Sequence, residues 1–78
     1  MPPPAAELAQ ARAAIEQAQP AAHYAPAEFA AAQKKLDLAE QSLRRDERVQ
    51  ARRLAEQAEA DARLASAMAE NERARGLR

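Results

Sequence analysis

Hydrophobic positions repeat with helical spacing in three segments of the chain, and prolines or charged residues separate these segments. The apolar stripe of the first segment follows 3-4-3 spacing, which places its members on one helix face. We predict a first helix over residues 5–19, with Pro4 suited to its first turn, Glu7 at its positive end and Pro20 stopping it. The stripe consists of Leu8, Ala11, Ile15 and Ala18.

The second segment predicts a helix over residues 26–45, with Pro26 at its first position and Glu28 in its first turn. Its stripe alternates large and small residues at 3-4-3-4 spacing, which is typical of helix–helix packing. Leu38 lies off this stripe and widens the apolar face. The stripe consists of Phe29, Ala32, Leu36, Ala39 and Leu43.

The third segment predicts a helix over residues 47–75, with Gly76 as its C-terminal cap. Its stripe is built of alanine alone, at 4-3-4-3-4 spacing. Alanine at each position lets two helix backbones approach closely, so this alanine seam favours an antiparallel helix pair. The seam consists of Ala51, Ala55, Ala58, Ala62, Ala65 and Ala69, and it is flanked by Leu54, Leu64 and Met68.

Charged residues interrupt the apolar pattern over residues 44–47. We predict a tight turn here, with arginines at the end of one helix and Asp46 capping the next. One continuous helix through this stretch is the alternative. The fold predicted is all-α: a small three-helix bundle in which a long antiparallel hairpin carries a shorter N-terminal helix. Residues 1–4 form an extended lead, residues 5–75 form one domain, and residues 76–78 form a tail.

The composition is close to that of intrinsically disordered proteins, and it excludes several classes of fold and function. Twenty-four of the 78 residues are alanine, and large apolar residues are few. The scarcity of β-branched and aromatic residues excludes a sheet protein, and the lack of catalytic groups argues against an enzyme. Twelve basic residues balance 12 acidic ones, so no net charge draws the chain to nucleic acid or lipid.

A monomer with so small a hydrophobic core would be only marginally stable, and we therefore expect a homodimer or other homo-oligomer. Self-association would use the alanine seam or the stripe of the second helix. The predicted helix-packing residues are Phe29, Ala32, Leu36, Ala39, Leu43, Ala51, Leu54, Ala55, Ala58, Ala62, Ala65 and Ala69.

Two groups of residues invite a catalytic or metal-binding interpretation, and we assign neither. His23 and Tyr24 lie in the predicted inter-helix loop without cysteine or a carboxylate cluster nearby, so we expect His23 to face water. Glu56, Glu59 and Asp61 fall on different faces of a helix. We therefore expect no catalytic residues, no metal site and no cofactor. The chain has no hydrophobic run long enough for a transmembrane segment.

A basic stretch is the candidate contact for an anionic partner. Asp46 and Glu47 interrupt it, and no aromatic residue lies near for base stacking, so a solvated turn is the favoured interpretation and no specific nucleic-acid site is expected. The stretch consists of Arg44, Arg45, Arg48, Arg52 and Arg53.

Opposite charges at helical spacing indicate solvated helix faces. Each such pair contributes only about 0.2–0.5 kcal/mol. The pairs are Arg12–Glu16, Glu40–Arg44, Arg52–Glu56 and Glu59–Arg63.

The order of these motifs resembles a known bacterial family. A Tyr-Ala-Pro junction at residues 24–26 precedes Glu28 and Phe29, and then come Lys35-Leu36-Asp37-Leu38-Ala39-Glu40 and the alanine-rich run over residues 51–62. Over residues 5–70 this order resembles the family called domain of unknown function 4398. The resemblance implies periplasmic proteins, often lipoproteins anchored through an N-terminal cysteine, and some with an OmpA-like peptidoglycan-binding domain. This chain has neither that cysteine nor that domain.

From these features we expect a non-enzymatic helical scaffolding module of the cell envelope. It would be periplasmic, either anchored to the outer membrane through a lipidated N-terminus outside this sequence or a minimal soluble member of the family. Its partners would be a second copy, an envelope protein or a peptidoglycan-associated protein. The alternative is a cytoplasmic coiled-coil adaptor or a nucleic-acid accessory protein that uses the basic stretch. A third interpretation is an alanine-rich stress protein that is disordered until dried or bound.

Overall fold

The computed structural model describes residues 2–76, and these form an all-α bundle. Met1 of the predicted lead and residues 77–78 of the predicted tail lie outside the described residues. The predicted hairpin with a shorter N-terminal helix is confirmed. The helices are α1 (Ala5–Gln17), α2 (Pro26–Arg44) and α3 (Arg48–Gly76), with a short 3-10 helix at Gln19–His23.

Prolines set the bounds of α1 and α2. Helix α1 begins at Ala5 as predicted, and the carbonyl of Pro4 accepts its first helical hydrogen bond from the N–H of Leu8 at 3.0 Å; the helix ends at Gln17, two residues before the predicted end. Pro20 has no N–H to continue α1, so the chain tightens into the 3-10 helix. Ala25 is held outside the helical region by the proline that follows it (φ −135°, ψ 62°), and α2 begins at Pro26 as predicted.

The third helix extends one residue further than expected. Gly76 is its last residue rather than a cap beyond it, and no glycine of the described chain has a positive φ.

The helices pack around the alanine seam of α3. Its six residues are 0–3% exposed, and five of them share a buried cluster with residues of α1 and α2. Ile15 of α1 clusters with Ala62 and Ala65, whereas Leu8 clusters with Ala55 and Ala58, so α1 runs parallel to α3.

The core divides into two clusters along the bundle. The loop-end cluster, beside the 3-10 helix, buries ten residues around Phe29 and Ile15. The tip-end cluster, toward the α2–α3 turn, buries five residues, and partly exposed leucines pack against it. Those leucines are Leu36, Leu43 and Leu54.

Ion pairs connect each helix to each of the others. Their side chains are partly exposed, so each pair adds only about 0–1 kcal/mol, but together they fix the order of the three helices. The pairs are Arg12–Glu40 at 2.8 Å between α1 and α2, Lys35–Asp61 at 2.7 Å between α2 and α3, and Glu7–Arg52 at 3.7 Å between α1 and α3.

These pairs correct most of the pairing predicted within single helices. Arg12 and Arg52 take partners on another helix rather than four residues along their own, and Glu40 likewise pairs with α1 instead of Arg44. A neighbouring helix offers a carboxylate at a part-buried position, where the attraction is less screened by water. The predicted Glu59–Arg63 pair does form.

Candidate functional site at the hairpin tip

The turn between α2 and α3 is a Schellman motif. The N–H of Glu47 donates to the carbonyl of Ser42 at 2.8 Å, and the N–H of Asp46 donates to that of Leu43 at 2.9 Å. Asp46 has φ of 59°, a conformation that aspartate tolerates better than most residues. The predicted turn is therefore present and the continuous helix is not.

The role predicted for Asp46 is corrected by this geometry. Asp46 ends α2 rather than capping α3, which begins two residues later at Arg48. The carboxylate of Asp46 accepts a hydrogen bond from Nε of Arg48 at 2.8 Å. One acidic residue thus closes the turn and fixes a neighbouring arginine.

An open cleft of about 790 Å³ lies between the two helices beside this turn. We call it the tip cleft. Leu38 of α2 and Leu54 of α3 line it, and Val49 stands beside them with 55% of its surface exposed. Leu38 is itself 38% exposed, so two large apolar side chains meet water along this cleft.

The five arginines of the basic stretch do not form one continuous surface. Arg48 and Arg52 are engaged in the Asp46 and Glu7 pairs. Arg44, Arg45 and Arg53 are exposed and form no ion pair with any residue of the 2–76 region. Arg45 lies on the rim of the tip cleft.

One arginine carries a polar atom without a hydrogen-bond partner. Nε of Arg52 is buried and lies 3.7 Å from the Glu7 carboxylate, which is too long for a hydrogen bond. Arg52 therefore belongs to the α1–α3 contact and faces α1 rather than an outside ligand.

The residues considered for metal binding or catalysis are separated. Glu59 pairs with Arg63, Asp61 pairs with Lys35, and Glu56 is exposed to solvent. Within residues 2–76, no group of three or more histidine, cysteine or carboxylate residues is arranged to hold a metal ion.

His23 and Tyr24 end the 3-10 helix rather than forming an irregular loop. Their rings meet edge to face at 5.1 Å, and both side chains are exposed. Tyr24 also borders a shallow cleft beside Met68 and Asn71 of α3. The two aromatic rings thus lie at the surface of the loop end of the bundle.

The predicted helix-packing residues lie inside the monomer. Most are buried, and Leu36, Leu43 and Leu54 are partly so. A second copy could reach the alanine seam only if α1 or α2 moved away, because both helices cover it. Self-association therefore stays a prediction, and in this structure it would need another surface.

Sequence reasoning missed Val49 and the tip cleft. The available signal was a pair of apolar residues outside the helical stripes, Leu38 and Val49, on either side of the charged turn. An apolar residue off the stripe has no place in the core, so water or a partner must meet it. The turn geometry that brings them to one cleft was not readable from spacing alone.

Comparison with known proteins gives the family and little else. No curated protein and no solved structure matches the chain. The family model described as "Domain of unknown function (DUF4398)" matches residues 6–76, nearly the whole chain. That match begins one residue inside α1 and ends with the last residue of α3, so it spans the complete bundle. The chain belongs to the DUF4398 family.

Proposed function

We propose that this domain is a non-enzymatic helical interaction module that works in the bacterial cell envelope as an assembly or scaffolding element. The observation that carries the proposal is the contrast between a closed core and the exposed apolar side chains at the tip cleft. Burying apolar surface drives most protein association, and Val49 and Leu38 are the apolar residues left to be buried there.

The ion pairs support a scaffolding role because they hold the bundle in one arrangement. Each pair joins a different two of the three helices, so a shift of any helix relative to the others would separate at least one pair. A rigid surface loses less conformational entropy when a partner binds to it.

The envelope setting rests on the family resemblance. Among residues 2–76, the structure contains no helix that is long and apolar enough to span a membrane. Compartment is tested by fractionating bacteria that express the complete natural reading frame. Recovery in the periplasmic or outer-membrane fraction is expected, and recovery in the cytoplasm would contradict this part of the proposal.

The interaction itself is tested by photo-crosslinking in those cells. A photoreactive amino acid replaces Val49 at the tip cleft, and the matched control replaces Ala60, an exposed residue of α3 away from the cleft. We expect an adduct of defined mass from position 49 and none from position 60. An adduct of twice the chain mass would identify a second copy as the partner.

Three outcomes would contradict the module. The first is equal crosslinking at both positions or none at position 49. The second is a turnover activity that is lost on substituting His23 or Tyr24. The third is salt-dependent nucleic-acid binding that is lost on reversing Arg52 and Arg53, which would favour the accessory-protein alternative.

A further inference from the structure

We propose that the tip cleft is the contact between two copies of this chain, in which α2 of each copy packs against α3 of the other about a twofold axis that runs along the cleft. This inference rests on the proposed function and names the partner of the interaction module. It is built from the charges on the two sides of the cleft, the exposed apolar side chains and the opposite directions of the two helices.

The charged side chains that line the cleft add up to zero. Arg45 and Arg48 line it together with Asp46 and Glu47, and no other charged residue of the 2–76 region does so. Asp46 and Arg48 already neutralise each other through their 2.8 Å contact. A neutral cleft attracts no partner through net charge, and the matching surface is one that carries both signs in complementary places.

The two remaining charges stand on opposite sides of the cleft. Arg45 follows the last residue of α2, whereas Glu47 precedes α3, and its carbonyl accepts a hydrogen bond from the N–H of Ala51 at 2.9 Å. Both residues are exposed, and neither side chain forms an ion pair or a hydrogen bond with another residue of the 2–76 region. The α2 side of the cleft therefore carries an unpaired cation, and the α3 side carries an unpaired anion.

A twofold axis along the cleft converts this arrangement into two ion pairs. Rotation about that axis places the α2 side of one copy over the α3 side of the other and keeps the two turns at the same level. Arg45 of each copy then faces Glu47 of the other, so the contact occurs twice. An unrelated partner would need the reverse order of charges at the same spacing, whereas a second copy supplies it by symmetry.

The same rotation covers the exposed apolar side chains. Leu38 lines the cleft from the α2 side, and Val49 and Leu54 line it from the α3 side. Leu38 of each copy therefore meets Val49 and Leu54 of the other, and burial of these side chains drives association. Because α2 runs toward the turn and α3 runs away from it, α2 packs antiparallel to α3 of the second copy, as neighbouring helices do in four-helix bundles.

The size of the cleft predicts a weak dimer. Ten residues line it, whereas a standard interface uses about 20–30 residues on each side. The alanine seam of α3 stays inside each copy and adds nothing to the contact. We therefore expect a dissociation constant of about 0.1–1 mM.

The test follows the purified chain by sedimentation equilibrium and by amide chemical shifts while its concentration is raised into the millimolar range. We expect a monomer–dimer equilibrium and concentration-dependent shifts within residues 38–54. Arg45→Glu and Glu47→Arg should each weaken the dimer at least tenfold, because each change brings like charges together at both contacts.

A mixture of the two variants is the decisive measurement. In a dimer of one Arg45→Glu chain with one Glu47→Arg chain, opposite charges meet at both contacts again. The affinity of this mixed dimer should return to within about threefold of that of the unchanged chain. Isotope labelling of one variant alone detects the mixed dimer, since only the labelled amides are observed.

Matched controls separate the cleft from the rest of the surface. Arg44→Glu and Glu56→Arg make the same charge changes at exposed residues that do not line the cleft, and each should leave dimerisation within about twofold. Val49→Ser should weaken the dimer several-fold, whereas Leu64→Ser, at an exposed leucine outside the cleft, should not. Circular dichroism confirms that each variant folds.

The outcomes separate this inference from the proposed function. A chain that stays monomeric at millimolar concentration, or a mixture that dimerises no better than its two components, would overturn the contact between copies. If position 49 then crosslinks to a different protein in cells, the interaction module still stands. Dimerisation of the purified chain without any adduct in cells would overturn the proposed function and leave the contact between copies standing. An adduct of twice the chain mass that is lost in Arg45→Glu would support both.

Discussion

The two ends of the bundle differ in which side chains they bury in the small hydrophobic core. At the loop end, Phe29 and Ile15 are about 7% exposed and alanines surround them, while the 3-10 helix closes the end. At the tip end, Leu8 is 3% exposed, three further leucines pack partly exposed against the cluster, and Val49 is outside the core. The loop-end cluster thus buries an aromatic ring and more residues, whereas the tip-end cluster is smaller and has partly exposed leucines at its edge.

This difference follows from where α1 packs. The buried stripe of α1 begins at Leu8 and continues toward the 3-10 helix, so α1 covers the hairpin from the tip-end cluster to the loop end. The α2–α3 turn itself has the cleft beside it. The two ends of this 78-residue chain therefore differ in how completely their large side chains are buried. Substitutions that affect one end and leave the other intact therefore test this difference between the two ends.

The largest effect is expected from the aromatic side chain of the loop end. Phe29→Ala should lower the free energy of unfolding by about 3–5 kcal/mol, because it removes a buried ring and leaves a cavity. Leu43→Ala, its match at the tip end, should cost about 1–2 kcal/mol because that side chain is already partly exposed. Urea denaturation followed by circular dichroism measures both.

A milder variant keeps this comparison measurable. Should Phe29→Ala leave no folded baseline, Phe29→Leu should still destabilise the chain more than the volume-conserving Leu43→Met does. Equal losses at the two ends would break the comparison, since they would show the tip leucines to be as fully packed as Phe29.

The next effect is overpacking of the alanine seam. Ala62→Leu in the loop-end cluster should destabilise the chain by about 1–3 kcal/mol, since the site is 0% exposed. Ala55→Leu in the tip-end cluster should cost less because its leucine neighbours can turn toward solvent. Ala60→Leu at an exposed position of the same helix is the control, expected within about 0.5 kcal/mol. Tolerance of leucine at Ala62 would mean that the seam is not a close helix contact.

Much of this architecture was predictable from local patterns, whereas the tip was not. Proline positions and 3-4 spacing predicted the three helices because both act through the backbone of neighbouring residues. The alanine seam predicted close packing but could not say which chain covers it, since α1 of the same molecule and a second copy offer the same chemistry. The partners of Arg12 and Arg52 depended on how the helices are arranged around one another. The cleft depended on the left-handed residue Asp46, whose conformation an aspartate permits but does not require.

A third prediction concerns the turn that forms the tip. Asp46 is the one non-glycine residue with a positive φ among residues 2–76. Asp46→Val should lower the free energy of unfolding by about 1–2 kcal/mol, because a β-branched residue strains in the left-handed region. Asp46→Gly should leave the free energy of unfolding unchanged or raise it by up to about 1 kcal/mol, because it relieves the backbone strain but removes the contact with Arg48. Equal stability of the two variants would argue that the Schellman turn is absent in solution.

The smallest effect is expected from the ion pair that ties α2 to α3 between the two ends of the bundle. Lys35 and Asp61 have side chains 34% and 25% exposed, whereas Arg12 and Glu40 are 54% and 32% exposed. A double-mutant cycle with Lys35→Met and Asp61→Asn should give a coupling of about 0.5–1 kcal/mol, because water screens this pair less. The matched cycle with Arg12→Met and Glu40→Gln should give about 0.2–0.5 kcal/mol and should fall further in 0.5 M salt. The yield of the photo-crosslink at position 49 should stay unchanged in Lys35→Met, since that side chain does not line the tip cleft. A loss of that crosslink in Lys35→Met would show that the geometry of the tip depends on the middle of the hairpin, and the two ends could no longer be treated as independent.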